Sequence, residues 1–473
     1  MKTPGKQDLT QGGIAGYIFR LSIPVMLGMG LQNMYTIVDL YWVGRLGDTA
    51  IAAITLAGTL FFFFFAIAQT VGAGALAIVS RAYGQKQKQQ AVHTVRNAVF
   101  AGIIMGIIVG GSCFVFARYI LIGLRARGDV ITLGALYLRP IGIAFGFQII
   151  SFVINFSMRG AGDMRTPLIA MIISTFTNML LDPLLIFGWW IFPELGISGA
   201  GIATLIATAI SAAYVFVILV TGRSILHVPI ITRFKPDWPL INQLVRIGLP
   251  AGLQFLFLSL SFMIIIILVA AYGEAPVTAA GTAWRLIHLS TIPVIGIAAA
   301  VATLVGQNLG AGKPERADSA CKIGIAGACF CASIIAVTFA ALPDFFMKIF
   351  VNSDEVVALG RTILRILAFN EVLLGLNIVF NNAFSGAGDN MPPMFGAIVR
   401  SVIQIIVAFS LLNVPSVGMN GIWISIPVST LFNTMFLGLI YRKGHWKTRM
   451  LRREEEMNNK PLKKDANNNA VNP

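Results

Sequence analysis

Charge is the scarcest thing in this chain. Only 12% of its 473 residues are Asp, Glu, Lys or Arg, where a soluble globular domain carries roughly 25%. With 56% hydrophobic residues and a mean hydropathy of +0.79, a soluble fold is excluded and a polytopic membrane protein is implied. Cysteine and histidine are rare as well, four of each. Cys113, Cys321, Cys329 and Cys331 all lie in or beside apolar runs, so they make neither a disulfide framework nor a zinc site. The four scattered histidines form no His/Glu motif, which argues against a membrane-embedded enzyme. A cleavable leader is missing too: the first apolar run is too long and reads as a retained helix.

Acids are fewer than bases, 20 against 35, for a net charge of +15. The bases sit in short segments between apolar runs and in the tail, so they point to membrane orientation and not to nucleic acid. A span needs about 20 mostly apolar residues. Twelve stretches qualify, at 17–42, 50–82, 92–120, 133–158, 167–192, 197–221, 243–271, 277–308, 318–342, 358–385, 393–413 and 418–441. With the N-terminus inside, the inner segments hold 25 Lys and Arg against 9 outside, which puts both termini in the cytoplasm.

The chain is one unit written twice. Arg159-Gly160-Ala161-Gly162-Asp163 with Pro167 returns 226 residues later as Ser385-Gly386-Ala387-Gly388-Asp389 with Pro393. The same shift carries Pro24 to Pro250, Gly47 to Gly273, Gly84 to Gly310 and Ala91 to Ala317; near the end it becomes 222, Gly196 to Gly418. Six spans per copy is an even number, so both copies enter the membrane facing the same way, as parallel repeats. The expected organisation is an N-terminus (1–16), an N-lobe (17–223), a linker with Pro229, Pro236 and Pro239 (224–242), a C-lobe (243–441) and a low-complexity disordered tail (442–473).

A duplicated chain is its own control. By the same shift Asp39 maps to Ile265, Asp182 to Ala408, Tyr35 to Ser261 and Asn178 to Gln404. Scaffold does not require the two acids. Asp39 lies 19 residues beyond Arg20 and Asp182 lies 17 beyond Arg165, about 28 and 26 Å at the helical rise, so they reach one level in the outer half. Tyr35 shares a face with Asp39, and Asn178 with Asp182; Gln32, Thr36 and Ser174 extend those stripes, and Thr204 and Thr208 add hydroxyls on span six. A carboxylate inside a span is costly and usually faces a pathway. Two at one level repel when both are ionised, so a proton or a cation between them is expected. Oxygens of Asp39, Asn178, Asp182 and Thr204 suit a hard cation such as Na+, or a proton. The alternative is that Asp39 is hydrated at the interface and Asp182 caps a helix break at Pro183. Pro24 is expected to kink span one below Asp39 and act as a hinge.

The second copy has its own polar face, Asn370, Glu371, Asn377 and Asn381, with Arg285, His288 and Arg400 in apolar surroundings; Glu371 is expected to pair with Arg285 or Arg400. Phe61 to Phe65 and Trp42 line either a greasy cavity or the lipid boundary. Asp163, Asp389, Arg81 and Arg159 read as loop and helix-end structure.

These residues resemble the multidrug and toxic compound extrusion (MATE) family. The resemblance spans residues 14 to 441 and rests on Leu21-Ser22-Ile23-Pro24, Asp39 with Tyr41-Trp42-Val43-Gly44-Arg45-Leu46-Gly47, Ser80-Arg81-Ala82-Tyr83-Gly84, the two Gly-Ala-Gly-Asp turns, Asn178 with Asp182-Pro183, and Gly306-Gln307-Asn308-Leu309-Gly310-Ala311-Gly312. It implies an all-α membrane fold of two six-helix lobes around a V-shaped cavity. It also implies export of amphipathic, often cationic compounds across the plasma (inner) membrane against inward Na+ or H+, by rocking alternating access. Asp39, Asn178 and Asp182 match the family's N-lobe cation site, Thr204 its span-six hydroxyl and Tyr35 a polar neighbour; Tyr137 matches a tyrosine at the start of span four. The cavity's polar residues are expected to be Tyr35, Tyr137, Gln32, Thr36 and Asn155. Another branch uses acids on spans seven and ten, but span seven here has no acid before Glu274 and Glu371 comes too early. A monomer in contact with lipid, without cofactor or enzymatic activity, is expected. The alternative is a lipid-linked saccharide flippase of the same superfamily.

Overall fold

A computed structural model describes residues 8–229 and 234–448. Twelve of its helical segments are long and apolar enough to cross a bilayer, which makes this a multi-pass membrane protein. The first copy is α1 (Ile14–Gly44), α2 (Asp48–Thr59), α3 (Phe61–Gly84), α4 (Lys88–Gly123), α5 (Asp129–Ala161), α6 (Arg165–Phe187) and α7 (Ile197–Thr221). The second is α8 (Trp238–Ala270), α9 (Glu274–Ser290), α10 (Ile292–Gly310), α11 (Pro314–Ala341), the short α12 (Pro343–Lys348), α13 (Asp354–Gly386), α14 (Met391–Leu412) and α15 (Asn420–Lys443).

The repeat reappears in the backbone for a local reason. Gly162 (φ 93°) and Gly388 (φ 73°) end α5 and α13 in the left-handed region that a side chain disfavours, and Gly47 and Gly273 do the same before α2 and α9. Asp163 then starts α6. Its Oδ1 accepts from the Arg165 and Thr166 amides at 3.0 Å each, and its Oδ2 accepts from the Thr166 and Ser224 hydroxyls. The turn motif that marked the duplication is thus a helix stop followed by a helix start.

Several boundaries differ from expectation. The second span is interrupted at Leu60, where the Thr59 hydroxyl bonds back to the Leu56 carbonyl at 2.7 Å. The eighth is two helices parted at Thr291, because Pro293 has no amide to continue the ladder. α6 stops at Phe187 and not at 192, and α8 begins at Trp238, inside the expected linker. The tail is not disordered from 442 onward: α15 runs to Lys443 and His445–Lys447 form a 3-10 turn that buries Trp446 against Tyr441, with Lys447 3.5 Å from Asp318. The rest of the expected tail and residues 1–7 lie outside the described residues.

The two lobes pack together from the end nearest residues 14 and 443, called proximal below, along the length of α3. A Cβ at Gly84 would run into the Gln307 carbonyl, and one at Gly248 into the Thr70 carbonyl, so α3 lies backbone to backbone with α10 and α8. Thr303 Oγ1 donates to the Arg159 carbonyl (2.9 Å) and Gln307 Nε2 to that of Gly160 (2.9 Å). Apolar clusters cross the same seam: Ile18, Leu21 and Val25 of α1 pack with Val301 and Leu304 of α10, and Val71 and Ile78 of α3 with Leu244 and Ile247 of α8. Toward the start of α3 the seam carries aromatic rings, Phe65 against Phe255 (4.5 Å) and Phe62 against Phe255 (6.3 Å), with Phe152 (5.2 Å) behind Phe65.

Candidate functional site

The acids of the first lobe meet in its distal half, inside a nest of four helices. Asn178 and Asp182 stand one turn apart on α6, and neither has exposed surface. Asn178 Nδ2 donates both to Asp182 Oδ1 (3.1 Å) and to Thr204 Oγ1 of α7 (3.3 Å). Tyr35 of α1 bonds the same Thr204 hydroxyl at 3.1 Å. Asp39, half-buried one turn beyond Tyr35, brings its carboxyl within hydrogen-bonding reach of Asp182. Tyr137 of α5 is buried alongside Tyr35, Asp39 and Asp182.

What the cluster lacks is donors. Asp39 Oδ1, Asn178 Oδ1 and Asp182 Oδ2 are buried without a hydrogen-bond partner. A buried acceptor left unmade costs about 1–3 kcal/mol, more when charged. A proton shared between the carboxyls, or a hard cation among these oxygens, satisfies them, and both are chemistry such a site can do. At the equivalent place in the second lobe Ile265 and Ala408 belong to one dry apolar core, so the same frame closes completely when the acids are absent.

Other candidates fall elsewhere. α6 continues through Pro183 to Phe187, so Asp182 caps no break. Pro24 lies inside α1, which is helical from Ile14 to Gly44. Gln32 and Thr36 are exposed and bonded only within their own helix, Thr36 Oγ1 to the Gln32 carbonyl at 3.1 Å. Asn155 has a buried oxygen without a partner, but it lies 18 residues along α5 from Tyr137, roughly 27 Å, and cannot share its site. Thr208 bonds back to the Thr204 and Leu205 carbonyls.

The expected ion pair of the second lobe does not form. Among the described residues Glu371 bonds neither Arg285 nor Arg400; it lies near Ser290 at the end of α9, whose hydroxyl donates to the Ile287 carbonyl at 2.8 Å. Arg285 and His288 are exposed, and Asn381 donates to Asn377 at 2.9 Å. The Phe run divides: Phe61 and Phe64 pack on Phe145 of their own lobe (5.8 and 4.2 Å), Phe63 is exposed, and Phe62 and Phe65 reach Phe255 of the other lobe. Trp42 packs with Phe187 and Trp189. Sequence reasoning missed Trp189 and Phe187; the signal was there in Trp42 standing one turn beyond Asp39.

Comparison with known proteins follows the same lines. A family model, MatE, matches residues 24–184 and again 250–410, two windows 226 residues apart. The chain is 28% identical over 458 residues to the "Probable multidrug resistance protein YpnP" of Bacillus subtilis (strain 168), covering 94% of this chain and 98% of that protein. It is 26% identical over 394 residues to the "Multidrug export protein MepA" of Staphylococcus aureus (strain MSSA476), covering 83% and 86%. Its fold matches, at a TM-score of 0.85 and 24% identity, a solved multidrug resistance MATE family transporter of the MOP superfamily in an outward-facing conformation, covering 96% of this chain and all of that one.

Proposed function

Because the chain belongs to the MatE family, we propose that it is a secondary active exporter of amphipathic, often cationic small molecules, driven by Na+ or H+ bound at Asp39 and Asp182. The observation that carries the coupling is the pair of neighbouring carboxyls, with acceptor oxygens unsatisfied, in the first lobe. The export reading is supported by relatives named for multidrug resistance and export.

With the proximal end in the cytoplasm, as the Lys/Arg asymmetry predicts, closure of the lobes at that end corresponds to an outward-facing state. A cation arriving from outside reaches the acids, bridges them and removes their mutual repulsion, so that the helices carrying them settle closer. An ion shifts the balance between two states only through different affinity for each. Asp39 and Asp182 sit on different helices, α1 and α6, so their separation, and with it the affinity, is free to depend on the state. Bound substrate lies against the Phe62, Phe65 and Phe255 rings at the floor of the cleft. Rocking about the proximal seam exchanges the two.

The test is efflux of a fluorescent lipophilic cation from proteoliposomes with sodium and proton gradients imposed separately. One gradient should drive it and dissipating that gradient should stop it. Efflux that ignores both gradients would defeat the proposal.

A further inference from the structure

Three aromatic rings gather at the distal end of the helices that carry the acid pair. Trp42 follows Asp39 by three residues on α1, so it stands about one turn, roughly 4.5 Å, further toward the distal end on a neighbouring face. Its indole closes a triangle with Phe187 and Trp189: 6.0 and 5.8 Å to their centroids, which are 6.1 Å from each other. Phe187 is the last residue of α6, five beyond Asp182.

The loop after it is shaped to fold Trp189 back. Gly188 takes φ 67°, and a Cβ there would lie 2.6 Å from the Glu194 amide nitrogen, so only glycine lets the loop turn so tightly. The Leu195 and Gly196 amides then donate to the carbonyls of Leu185 and Ile186 at 3.0 and 3.1 Å, fastening the loop to the end of α6. Above the triangle the Arg45 guanidinium lies 5.3 Å from the Trp42 ring. Below it Asn178 and Asp182 have no exposed surface.

Interfacial anchoring accounts for the loop tip, where Trp190 is 94% and Ile191 91% exposed. It does not account for three rings, Trp189 among them at 46% exposure, turned toward one another at the distal end of the helices that carry the acids. We propose that Trp42, Phe187 and Trp189 form a standing distal seal over the coupling site, so that the ion reaches Asp39 and Asp182 only through the cleft between the lobes. The inference rests on the cation-coupling role given to those acids above.

The need for a seal follows from alternating access. A site open straight to the distal solvent would be open on both sides whenever the lobes parted proximally, and the ion would run down its gradient without cargo. Ring edges offer an entering ion no oxygen ligands, and the Arg45 charge repels it.

Ion uptake into proteoliposomes without substrate, read with a sodium tracer and with a pH-sensitive dye, tests the proposal on the full chain. Trp42→Ala/Trp189→Ala should raise this leak about tenfold, the loss of roughly 1.4 kcal/mol of barrier. Gly188→Ala, which pushes the loop off α6, should raise it in the same direction, and Trp42→Phe should stay near wild type. Adding Asp182→Asn to the double variant should return the leak to baseline, because the route runs over the acid pair; a variant that merely failed to fold would show neither the rise nor its suppression. An unchanged leak in a folded double variant that still exports, or a leak that survives Asp182→Asn, would overturn the seal. Wild-type efflux indifferent to both gradients would instead bring down the coupling role itself, and the seal with it.

Discussion

Asp182 has no exposed surface, and its Oδ1 accepts a hydrogen bond from the Asn178 amide. On the coupling role proposed for it, Asp182→Asn should separate function from stability. The amide can donate to Asp39 and ends the repulsion between two acids. Gradient-driven efflux should fall about tenfold or more, while the melting temperature holds or rises, since active-site charge is commonly retained at a cost to stability. Efflux assays and a thermal-shift measurement on the same preparation check this. A second residue-scale expectation comes from the repeat. Lys86 (φ 62°) and Gly312 (φ 70°) occupy the same left-handed position in the two copies. Nothing lies within 4 Å of a Cβ at Gly312, so Gly312→Ala isolates the backbone term and should cost about 1–2 kcal/mol in thermal or denaturant unfolding. The acid pair and its neighbours Tyr35, Asn178 and Thr204 were readable from spacing, because helical rise fixes depth and a four-residue step fixes a face. Gln32 and Thr36 were not excluded that way: spacing says which residues share a face, and only packing says which neighbour that face meets.

Among the elements, α3 decides how the lobes fit. It carries Thr70, Gly74 and Gly84, and the partners facing them, Gly248, Leu244 and Gln307, approach so closely that a Cβ at Gly74, Gly84 or Gly248 would strike a backbone carbonyl. Gly248→Leu should therefore wedge the seam open without touching the acids. Labelling of a cysteine placed at the proximal end should rise several-fold and distal accessibility should drop; labelling equal to wild type would mean that the seam does not set the state. Length and hydropathy sufficed to count twelve spans, since both follow from bilayer thickness. They could not show the interruption at Leu60, beside which the Thr59 hydroxyl bonds back to the Leu56 carbonyl. Nor could they show the ordered turn after α15, where a single ring, Trp446, is held 5.3 Å from Tyr441 within an otherwise polar stretch.

For the molecule as a whole, duplication supplies the frame and asymmetry supplies the work. The 226-residue shift visible in Gly47 and Gly273 is also the shift between the two family matches, so the two-lobe architecture was readable at once. How the lobes are held was not, because it depends on contacts between residues far apart in the chain. The segment before α1 crosses to the second lobe: Leu9 is buried, Lys313 Nζ donates to the Thr10 carbonyl (3.0 Å), and Arg316 donates to those of Gln11 and Gly12 (2.8 Å each). These bonds close the proximal end. Lys313→Ala/Arg316→Ala should shift the population toward the proximally open state by about tenfold, the effect of roughly 1.4 kcal/mol of differential stabilisation. Spin-label distances across the distal end of the lobes would report it as a shortening, and an unchanged distribution would assign the closure to the helical seam alone.

The central claim is that Asp39 and Asp182 act as one unit holding one shared cation or proton, and a double-mutant cycle measures that directly. Gradient-driven efflux is determined for wild type, Asp39→Asn, Asp182→Asn and the double variant, in proteoliposomes of equal protein content. If the acids form a single site, the double variant loses no more than either single one, and the coupling energy is large. Losses that multiply, or full gradient dependence surviving in either single variant, would contradict it.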